Sequence, residues 1–469
     1  MARTARSGTR RQAAPRTAAA PRRRRAASDA AAQVRIRMYR QGLGDCFLVT
    51  LPRSDGKGDA FRIMIDCGVL LGTPGAKEKM QDVVADIAQV SGGRVDLLLV
   101  THEHWDHVSG FMQAQEAFKD IAFGAVWMGW TESPTDLQAK RLAADRHLAL
   151  AALRLADNQL RLAGAAEVAE EVTGLLGFFG VGGGGASTTD ALDAARALVP
   201  PDRLRYAEPG EAPTLLAGTG ARLYVLGPPR DETLLLRSDP SRKKPETYDL
   251  AFGGFAMEAM MGASGETPPD GPFADRLTIP MEVARAMPEF HRYWSDGTGG
   301  AGEGEAWRRI DGDWLNAAAD LALRLDHDTN NTSLAVAIEL DNGEVLLFAA
   351  DAQVGNWLSW EKLEWEVEGR RVSGPDLLAR SVFYKVGHHG SHNATLREKG
   401  LETMARLRVA AIPVDEAIAR KRRWTSMPLP SLLERLEERT RGRVLRTDRP
   451  APAGIGGLED AALFFDFPP

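Results

Sequence analysis

The stretch VDLLLVTHEHWDH, residues 95–107, joins a continuous apolar run to a segment with three histidines and two acids. A short run of this kind is typical of a strand buried on both faces. In layered α/β proteins, polar groups at the carboxyl ends of strands line the ligand crevice. Since the chain has only nine histidines in 469 residues, the stretch favours a metal site over a solvated polar turn.

Strand patterns continue on both sides of this stretch. Before it, VRIRMYR, CFLVTLP and FRIMIDCG (within 34–68) predict strands, and apolar positions at three- and four-residue spacing predict a helix over 76–90. After it, RLYVLGPP, TSLAVAIEL, VLLFAAD, SVFYKV, VAAIPV and VLRTD predict further strands, with DNGE as a hairpin turn. We expect 34 to about 130 and about 321 to 469 to form the two halves of one domain, residues 34–469.

Three segments interrupt this pattern. Residues 1–33 form an Arg- and Ala-rich tail that we predict to be disordered, with nine arginines and no acid in residues 1–28. Residues 131–221 predict a helical insertion with a glycine hinge at 174–187. Residues 230–320 predict a second insertion rich in Gly and Pro.

Composition limits the classes of partner. The net charge is −6, so the chain beyond the arginine tail is acidic and does not attract nucleic acid by default. No stretch approaches the roughly 18 apolar residues that would span a bilayer, which predicts no membrane insertion. Cys46 and Cys67 lie in apolar segments and are expected to be reduced core residues of a cytoplasmic protein.

Further metal-ligating residue types lie at other predicted strand ends. His327 precedes a predicted strand, Asp351 follows another, and His388 and His389 follow a third. With His102, His104 and His107, this puts six of the nine histidines at strand boundaries. Imidazole and carboxylate are the ligand set that suits zinc or manganese. The sequence therefore predicts a site for divalent metal ions.

The motif H-x-H-x-D-H at 102–107 resembles that of the metallo-β-lactamase fold hydrolases. Within this family, RQGLGDCFLV, IDCG, NNTSL, AAD, VGHHGSHNAT and VLRTD are most similar to the soluble metallohydrolase part of the DNA-uptake protein ComEC and its free-standing relatives. The resemblance implies a four-layer αββα sandwich and two divalent metal ions, Zn or Mn. It implies that His102, His104 and His327 bind one metal, Asp106, His107 and His388 bind the other, and Asp351 bridges them.

The resemblance also implies residues around the metals. Asp66 in IDCG matches a buried aspartate that supports the metal-binding loop, and Asp45 is expected near the same face. Within the segment HHGSH, His388 is the expected metal ligand because it comes first after the strand. His389 is expected to support the ligands from behind or to contact the substrate. Ser391, His392 and Asn393 offer groups suited to phosphate oxygens; alternatively they form a turn that caps a helix at 394–400.

The family resemblance implies a metal-dependent hydrolase that uses a metal-bridging hydroxide, with Asp106 as the catalytic residue that orients it. A phosphodiesterase or nuclease is the leading hypothesis, acting on a small-molecule or nucleic-acid substrate. One alternative is hydrolysis of an ester, thioester, lactone or β-lactam in the same site. Another is a non-catalytic, metal-stabilised binding module. The sequence does not predict the oligomeric state.

Overall fold

The computed structural model describes residues 33–54, 59–162, 166–181, 186–240, 246–247, 287, 313–422, 424 and 426–469. The predicted tail up to residue 32, part of the glycine hinge and most of the second insertion lie outside the described residues. Cys46 and Cys67 are both buried and unpaired. None of the described helices is long and apolar enough to cross a membrane.

The strands are numbered along the chain. They are β1 Arg35–Tyr39, β2 Phe47–Leu51, β3 Phe61–Ile65, β4 Arg94–Val95, β5 Leu97–Val100, β6 Ala122–Phe123, β7 Val126–Gly129, β8 Leu204–Ala207, β9 Thr214–Leu215, β10 Arg222–Val225, β11 Val336–Glu339, β12 Val345–Phe348, β13 Glu364–Val367, β14 Arg370–Ser373, β15 Ser381–Lys385, β16 Val409–Ile412, β17 Val444–Arg446, β18 Glu459–Asp460 and β19 Phe464–Phe467.

The α-helices follow the same numbering. They are α1 Ala76–Ser91, α2 Trp105–Gln113, α3 Leu137–Leu162, α4 Ala166–Leu176, α5 Thr188–Arg196, α6 Glu232–Leu235, α7 Asp313–Asn330, α8 Val354–Ser359, α9 Gly374–Ala379, α10 Glu416–Lys421 and α11 Pro430–Thr440. Two 3-10 turns, Gly177–Phe179 and Gly387–Gly390, lie near the candidate site described below.

Two large sheets carry the fold. The first has the strand order β18-β19-β1-β2-β3-β5-β7-β8, and the second has the order β17-β16-β15-β12-β11-β10-β9. Strands β3, β5, β7 and β8 run parallel to one another, as do β12, β15, β16 and β17. The predicted DNGE hairpin is confirmed, because β11 and β12 pair antiparallel across it.

The core has three apolar layers between and outside the sheets. Side chains that alternate along each strand point to opposite faces, so each sheet contributes to an inner and an outer layer. The inner layer joins the sheets through residues such as Ile36, Val49, Ile338 and Phe383. The outer layers pack helices on the sheets, with Met64 and Leu98 against Val83 of α1, and Leu347 against Trp357 of α8. This arrangement confirms the predicted αββα sandwich.

Helix α1 illustrates how the local pattern specifies an element. Met80, Val83, Val84 and Ile87 are buried on one face, as their spacing predicts. The helix ends where Gly92 adopts a left-handed conformation with φ of 65°, which glycine adopts without steric cost.

The first insertion is less uniformly helical than expected. Helices α3, α4 and α5 occupy residues 137–196, but β8 and β9 follow within the same predicted segment and add edge strands to the two sheets. These strands are too short to show a two-residue period in the sequence. The first part of the predicted hinge is ordered, because it contains the last residues of α4 and the turn Gly177–Phe179. Residues 182–185 of the hinge lie outside the described residues.

Candidate metal centre

The carboxyl ends of four strands bring the candidate ligands together. Asp66 follows β3, the H-x-H-x-D-H loop follows β5, Asp351 follows β12 by three residues, and His389 follows β15 by four. Because β3 and β5 are parallel neighbours, and so are β12 and β15, each pair ends at one edge of its sheet. The packing of the two sheets then places these edges against each other.

Asp106, His107, Asp351 and His389 form a buried group that we call the four-residue cluster. One ligand atom from each residue lies within 4.8 Å of those of the others. His389 Nε2 lies 2.9 Å from Asp106 Oδ2, and His107 Nε2 lies 3.1 Å from Asp351 Oδ2. Asp106 Oδ1 is buried without a hydrogen-bond partner among the described residues. These donors converge on one point and fit a divalent cation.

Outer contacts determine which nitrogen each histidine presents to the cluster. His389 Nδ1 lies 2.6 Å from the carbonyl oxygen of Pro413, which can only accept a hydrogen bond, so Nδ1 carries the proton and Nε2 is the candidate ligand atom. His107 Nδ1 lies 2.8 Å from Asp66 Oδ2. Such carboxylate and carbonyl contacts orient metal-binding histidines in known sites.

Asp66 also anchors the start of the loop. Its two carboxylate oxygens accept hydrogen bonds from the backbone N–H of Thr101 at 2.8 Å and from the Thr101 hydroxyl at 2.7 Å. Asp66, which was predicted to support the metal-binding loop, therefore contacts both Thr101 and His107 directly.

Lys385 is a buried cation beside the cluster. Its Nζ donates to Asp45 Oδ2 at 2.6 Å, to Asp351 Oδ1 at 3.0 Å and to the carbonyl oxygen of Ala350 at 2.9 Å. Burial raises the pKa of Asp351, but the charges of Lys385 and His107 outweigh this effect, so the pKa lies well below its usual value. Lys385 thus holds one oxygen of Asp351 while the other faces the cluster.

The carboxylates exceed the nearby fixed positive charge. Burial lowers the pKa of His107, yet Asp351, Asp45, Asp106 and Asp66 together raise it well above the usual value. Burial likewise lowers the pKa of His389, but the charge of Asp351 raises it, and the pKa lies above its usual value. The pocket is therefore electrostatically suited to a bound cation, which would supply charge that otherwise comes from protons.

A second group of donors lies beside the cluster. His102 Nε2 is 3.1 Å from His104 Nδ1, and His104 Nδ1 is 3.0 Å from Asn330 Oδ1. The other nitrogen of His102 faces the hydroxyls of Thr101 and Ser333 at 3.1 and 3.3 Å. His102, His104 and Asn330 therefore present two nitrogens and one oxygen to a common position.

The structure does not bring His327 to this position. The residue lies in the last turn of α7 rather than in a loop, and its Nδ1 is 3.9 Å from Asp239. Asp326 and Asn330 are four residues apart and share the helix face toward His104. Asn330 Nδ2 donates to Asp326 Oδ2 at 3.1 Å. Helical phase therefore directs Asp326 and Asn330, and not His327, toward His104.

His388 also lies outside the four-residue cluster. Its Nε2 is 3.4 Å from Asn330 Nδ2, and its Nδ1 is buried without a hydrogen-bond partner among the described residues. Burial, reinforced by the charge of His389, lowers the pKa of His388 to about 3. His389, one residue later, therefore joins the four-residue cluster in place of the expected His388, and both residues adopt positive φ angles in the turn.

The remaining predicted residues separate into two places. Asp45 is buried against Lys385, with its Oδ2 3.9 Å from His107 Nδ1. Ser391 and His392 line a cavity beside His388. Ser391 donates to Asn393 Oδ1 at 2.9 Å, but Asn393 does not line that cavity. Residues 394–400 form no helix, so the alternative that Ser391, His392 and Asn393 cap a helix there is wrong.

Backbone strain is concentrated at the site. Among the described residues, six non-glycine residues have positive φ angles, and four of them adjoin the candidate ligands: Asp66, Ala350, His388 and His389. Such conformations cost roughly 1–3 kcal/mol each and cluster at functional sites in proteins. The fold therefore maintains an unfavourable backbone at the strand ends that carry these side chains.

Close backbone packing and an ion pair secure the H-x-H-x-D-H loop. A Cβ atom at Gly68 would lie 2.3 Å from the carbonyl carbon of Asp106, so only glycine fits there. On the other side, Arg146 of α3 contacts Glu103 at 2.8 Å, and both side chains are buried. The first insertion is thereby tied to the loop.

Sequence reasoning missed Lys385, Asn330 and Asp326. Lys385 left a signal, since it is a single charge inside the apolar run SVFYKV directly before the glycine and histidines. Asn330 belongs to NNTSL, one of the segments that carry the family resemblance, but the resemblance implied no ligand role for Asn330. Asp326 had no signal beyond its four-residue spacing from Asn330.

Comparison with known proteins agrees with the fold. The family model of the Metallo-beta-lactamase superfamily matches residues 39–136, which run from the end of β1 through the H-x-H-x-D-H loop to the start of the first insertion. No curated protein matches the chain. The protein has the α/β sandwich fold of that superfamily. The superfamily suggests a metal-dependent hydrolase, and the four-residue cluster could hold the metal.

Proposed function

We propose that the protein is a metal-dependent phosphodiesterase or nuclease. The observation that carries this proposal is the buried convergence of Asp106, His107, Asp351 and His389 beside His102, His104 and Asn330. We assign Asp106, His107 and His389 to one divalent metal ion and His102, His104 and Asn330 to a second. Asp351 would bridge the two ions.

Bound divalent ions would supply Lewis-acid chemistry, which activates water and stabilises charge that develops on a phosphoryl oxygen. The chain's own residues would position the reaction. Asp106 would accept a hydrogen bond from the attacking water through Oδ1, which has no other partner among the described residues. Lys385 would keep Asp351 ionised and oriented through its 3.0 Å contact.

The oxygen donor of Asn330 favours phosphodiesters over β-lactams in this proposal. A carboxamide oxygen is a harder ligand than an imidazole, and oxygen ligands suit manganese and magnesium better than nitrogen-rich sets do. Such metals are commonly bound through carboxylates together with substrate phosphates. We therefore expect manganese to support activity at least as well as zinc.

The test is hydrolysis by protein stripped of metal and then resupplied with manganese or zinc. The substrates are end-labelled single-stranded DNA, bis(4-nitrophenyl) phosphate and 4-nitrophenyl acetate. Asp106→Asn removes the negative charge of this proposed metal ligand and water acceptor while keeping the side-chain volume. Asp120→Asn, at an exposed aspartate, is the matched control.

We expect metal-dependent cleavage of at least one phosphodiester, lost in Asp106→Asn and retained in Asp120→Asn. Cleavage of only the acetate would favour the ester hydrolase alternative and overturn the phosphodiesterase. Metal retention without turnover of any of the three substrates would favour the non-catalytic binding module.

A further inference from the structure

A cavity of about 200 Å³ adjoins the candidate metal centre. Residues of helix α4 and its following turn, of helix α7, and of or just after the turn Gly387–Gly390 line it, together with Trp424, Ser426 and Met427. Its lining residues are Leu175, Phe178, Leu323, Asp326, His327, His388, Ser391, His392, Trp424, Ser426 and Met427.

His388 and Phe178 connect this cavity to the candidate ligands. His388 lies 3.4 Å from Asn330, and the Phe178 ring lies 5.4 Å from the ring of His104. A ligand with one group in the cavity and a phosphate at the metal centre therefore needs only a short linker between the two.

One wall of the cavity is aromatic. The rings of Phe178 and Trp424 stack with centroids 5.0 Å apart and an interplanar angle of 21°. Leu175 and Met427 extend this wall with apolar surface. Flat rings of this kind bind nucleobases by stacking, whichever base is present.

The rest of the lining is largely polar. It includes the imidazoles of His327, His388 and His392 and the hydroxyls of Ser391 and Ser426. His388 Nδ1 is buried, and no described residue hydrogen-bonds to it. Among the described residues that line the cavity there is no lysine or arginine, so the lining suits an uncharged polar ring better than a phosphate.

We propose that this cavity binds the nucleobase of the nucleotide that carries the scissile phosphate, by stacking on the Phe178–Trp424 wall and hydrogen bonding to His388. This inference rests on the proposed phosphodiesterase function and names its substrate class as nucleotides. The volume of about 200 Å³ is below the roughly 300–1,000 Å³ typical of pockets for drug-sized ligands. It therefore fits one base rather than several.

The proposal also gives the first insertion a role. Phe178 lies in the turn that follows α4, and Phe179 packs on His104 with ring centroids 4.9 Å apart. The insertion thus supplies part of the cavity wall and touches the metal-binding loop at the same point. It would determine specificity without contributing a metal ligand.

The test is equilibrium binding of thymidine 5′-monophosphate and 2-deoxyribose 5-phosphate to the metal-loaded protein, measured by calorimetry. The two probes share the phosphate and sugar and differ in the base. The variants are Trp424→Ala and Trp424→Phe, which keeps an aromatic face. Leu155→Ala, at an exposed position of α3 in the first insertion, is the control for a substitution away from the cavity.

We expect the unmodified protein to bind the nucleotide more tightly than the sugar phosphate. Trp424→Ala should weaken nucleotide binding about 5- to 150-fold, the range expected for loss of one stacked base, and leave sugar phosphate binding unchanged. Trp424→Phe should restore most of the preference. A folded Trp424→Ala protein that loses affinity for both probes equally would overturn the proposal.

Equal affinity of the unmodified protein for both probes would also overturn it. Because binding is measured without turnover, the two proposals can fail separately. Base-dependent binding without diester cleavage would keep the cavity assignment and overturn the reaction. Diester cleavage without base-dependent binding would keep the reaction and overturn the cavity assignment.

Discussion

His389 Nε2 lies 2.9 Å from Asp106 Oδ2, although 283 residues separate the two in the chain. Each follows a strand of a different sheet, so this contact joins the two halves of the sandwich at the candidate metal centre. The neighbouring His388 makes no such contact with Asp106 and lies against Asn330 instead. The two adjacent histidines should therefore differ sharply when substituted.

Replacing His389 with alanine should weaken metal binding by at least about 100-fold, since even residues behind the ligands typically change affinity 10- to 100-fold. His388→Ala should keep the metal, because His388 is not in the four-residue cluster. Competition with a chromogenic chelator measures both affinities. Metal loss in His388→Ala but not in His389→Ala would restore His388 as the ligand.

Substitutions on α7 test the second group of donors. Asn330→Ala should lower the amount of bound metal per chain while the four-residue cluster retains its ion. Asp326→Asn should lower the affinity for the ion assigned to His102, His104 and Asn330 about 10- to 100-fold, because Asp326 orients Asn330. His327→Ala is the internal control and should bind metal as the unmodified protein does. Elemental analysis after dialysis against buffered metal gives the stoichiometries, and a loss confined to His327→Ala would contradict the assignment.

Lys385→Met should destabilise the metal-free protein by about 3–5 kcal/mol, because it leaves the carboxylates of Asp45 and Asp351 buried without their cation. Metal should recover part of this loss, since ions that bind only the native state stabilise it. Urea unfolding with and without metal measures both effects. Lys119→Met, at an exposed ion pair with Glu116, should have no measurable effect. An equal loss of stability in both variants would show that the buried contacts of Lys385 stabilise the fold no more than an exposed ion pair does.

Metal affinity should rise with pH through the neutral range. In the metal-free protein, burial lowers the pKa of His107, but the surrounding carboxylates, Asp351 first, raise it well above 6.5. A metal ion binds the neutral imidazole, so binding must displace this proton. Protonated His107 also stabilises the metal-free fold below pH 6.5, and this contribution is lost as the pH rises through the raised pKa.

Calorimetry in buffers with different ionisation enthalpies measures the released protons. We expect release at pH 7 in the unmodified protein and in His147→Gln, which changes an exposed histidine of α3. Metal binding that releases no proton and has no pH dependence would contradict the charge balance described for the site.

Gly68→Ala should cost about 1–3 kcal/mol through overpacking, because the new Cβ would lie 2.3 Å from the backbone of Asp106. The loop would have to move, so metal affinity should fall together with stability. Gly456→Ala, where a Cβ meets nothing within 4 Å, is the matched control. Thermal unfolding and chelator competition report the two effects. Unchanged metal affinity in a destabilised Gly68→Ala protein would show that the loop accommodates the methyl group.

Local patterns were enough to predict most of the framework. Helix α1 was predicted over 76–90 and spans Ala76–Ser91, because its buried face repeats with helical spacing. Ten strands of the two sheets were visible as apolar runs bounded by turns, whereas β7, β8, β9, β18 and β19 were not predicted. The start of α7 was hidden, since residues 301–312 before it are rich in Gly and charge.

The sequence by itself determined most of the strands, helix α1 and the grouping of polar side chains at strand ends, because hydrophobic periodicity and turn residues are local properties. The αββα sandwich followed from the resemblance carried by the H-x-H-x-D-H motif. Tertiary structure decided which polar side chains meet. The helical phase of α7 turns Asp326 and Asn330 toward His104. In the turn Gly387–Gly390, only His389 contacts Asp106, while His388 lies against Asn330. Side-chain direction in such turns depends on contacts between two sheets, which no local pattern encodes.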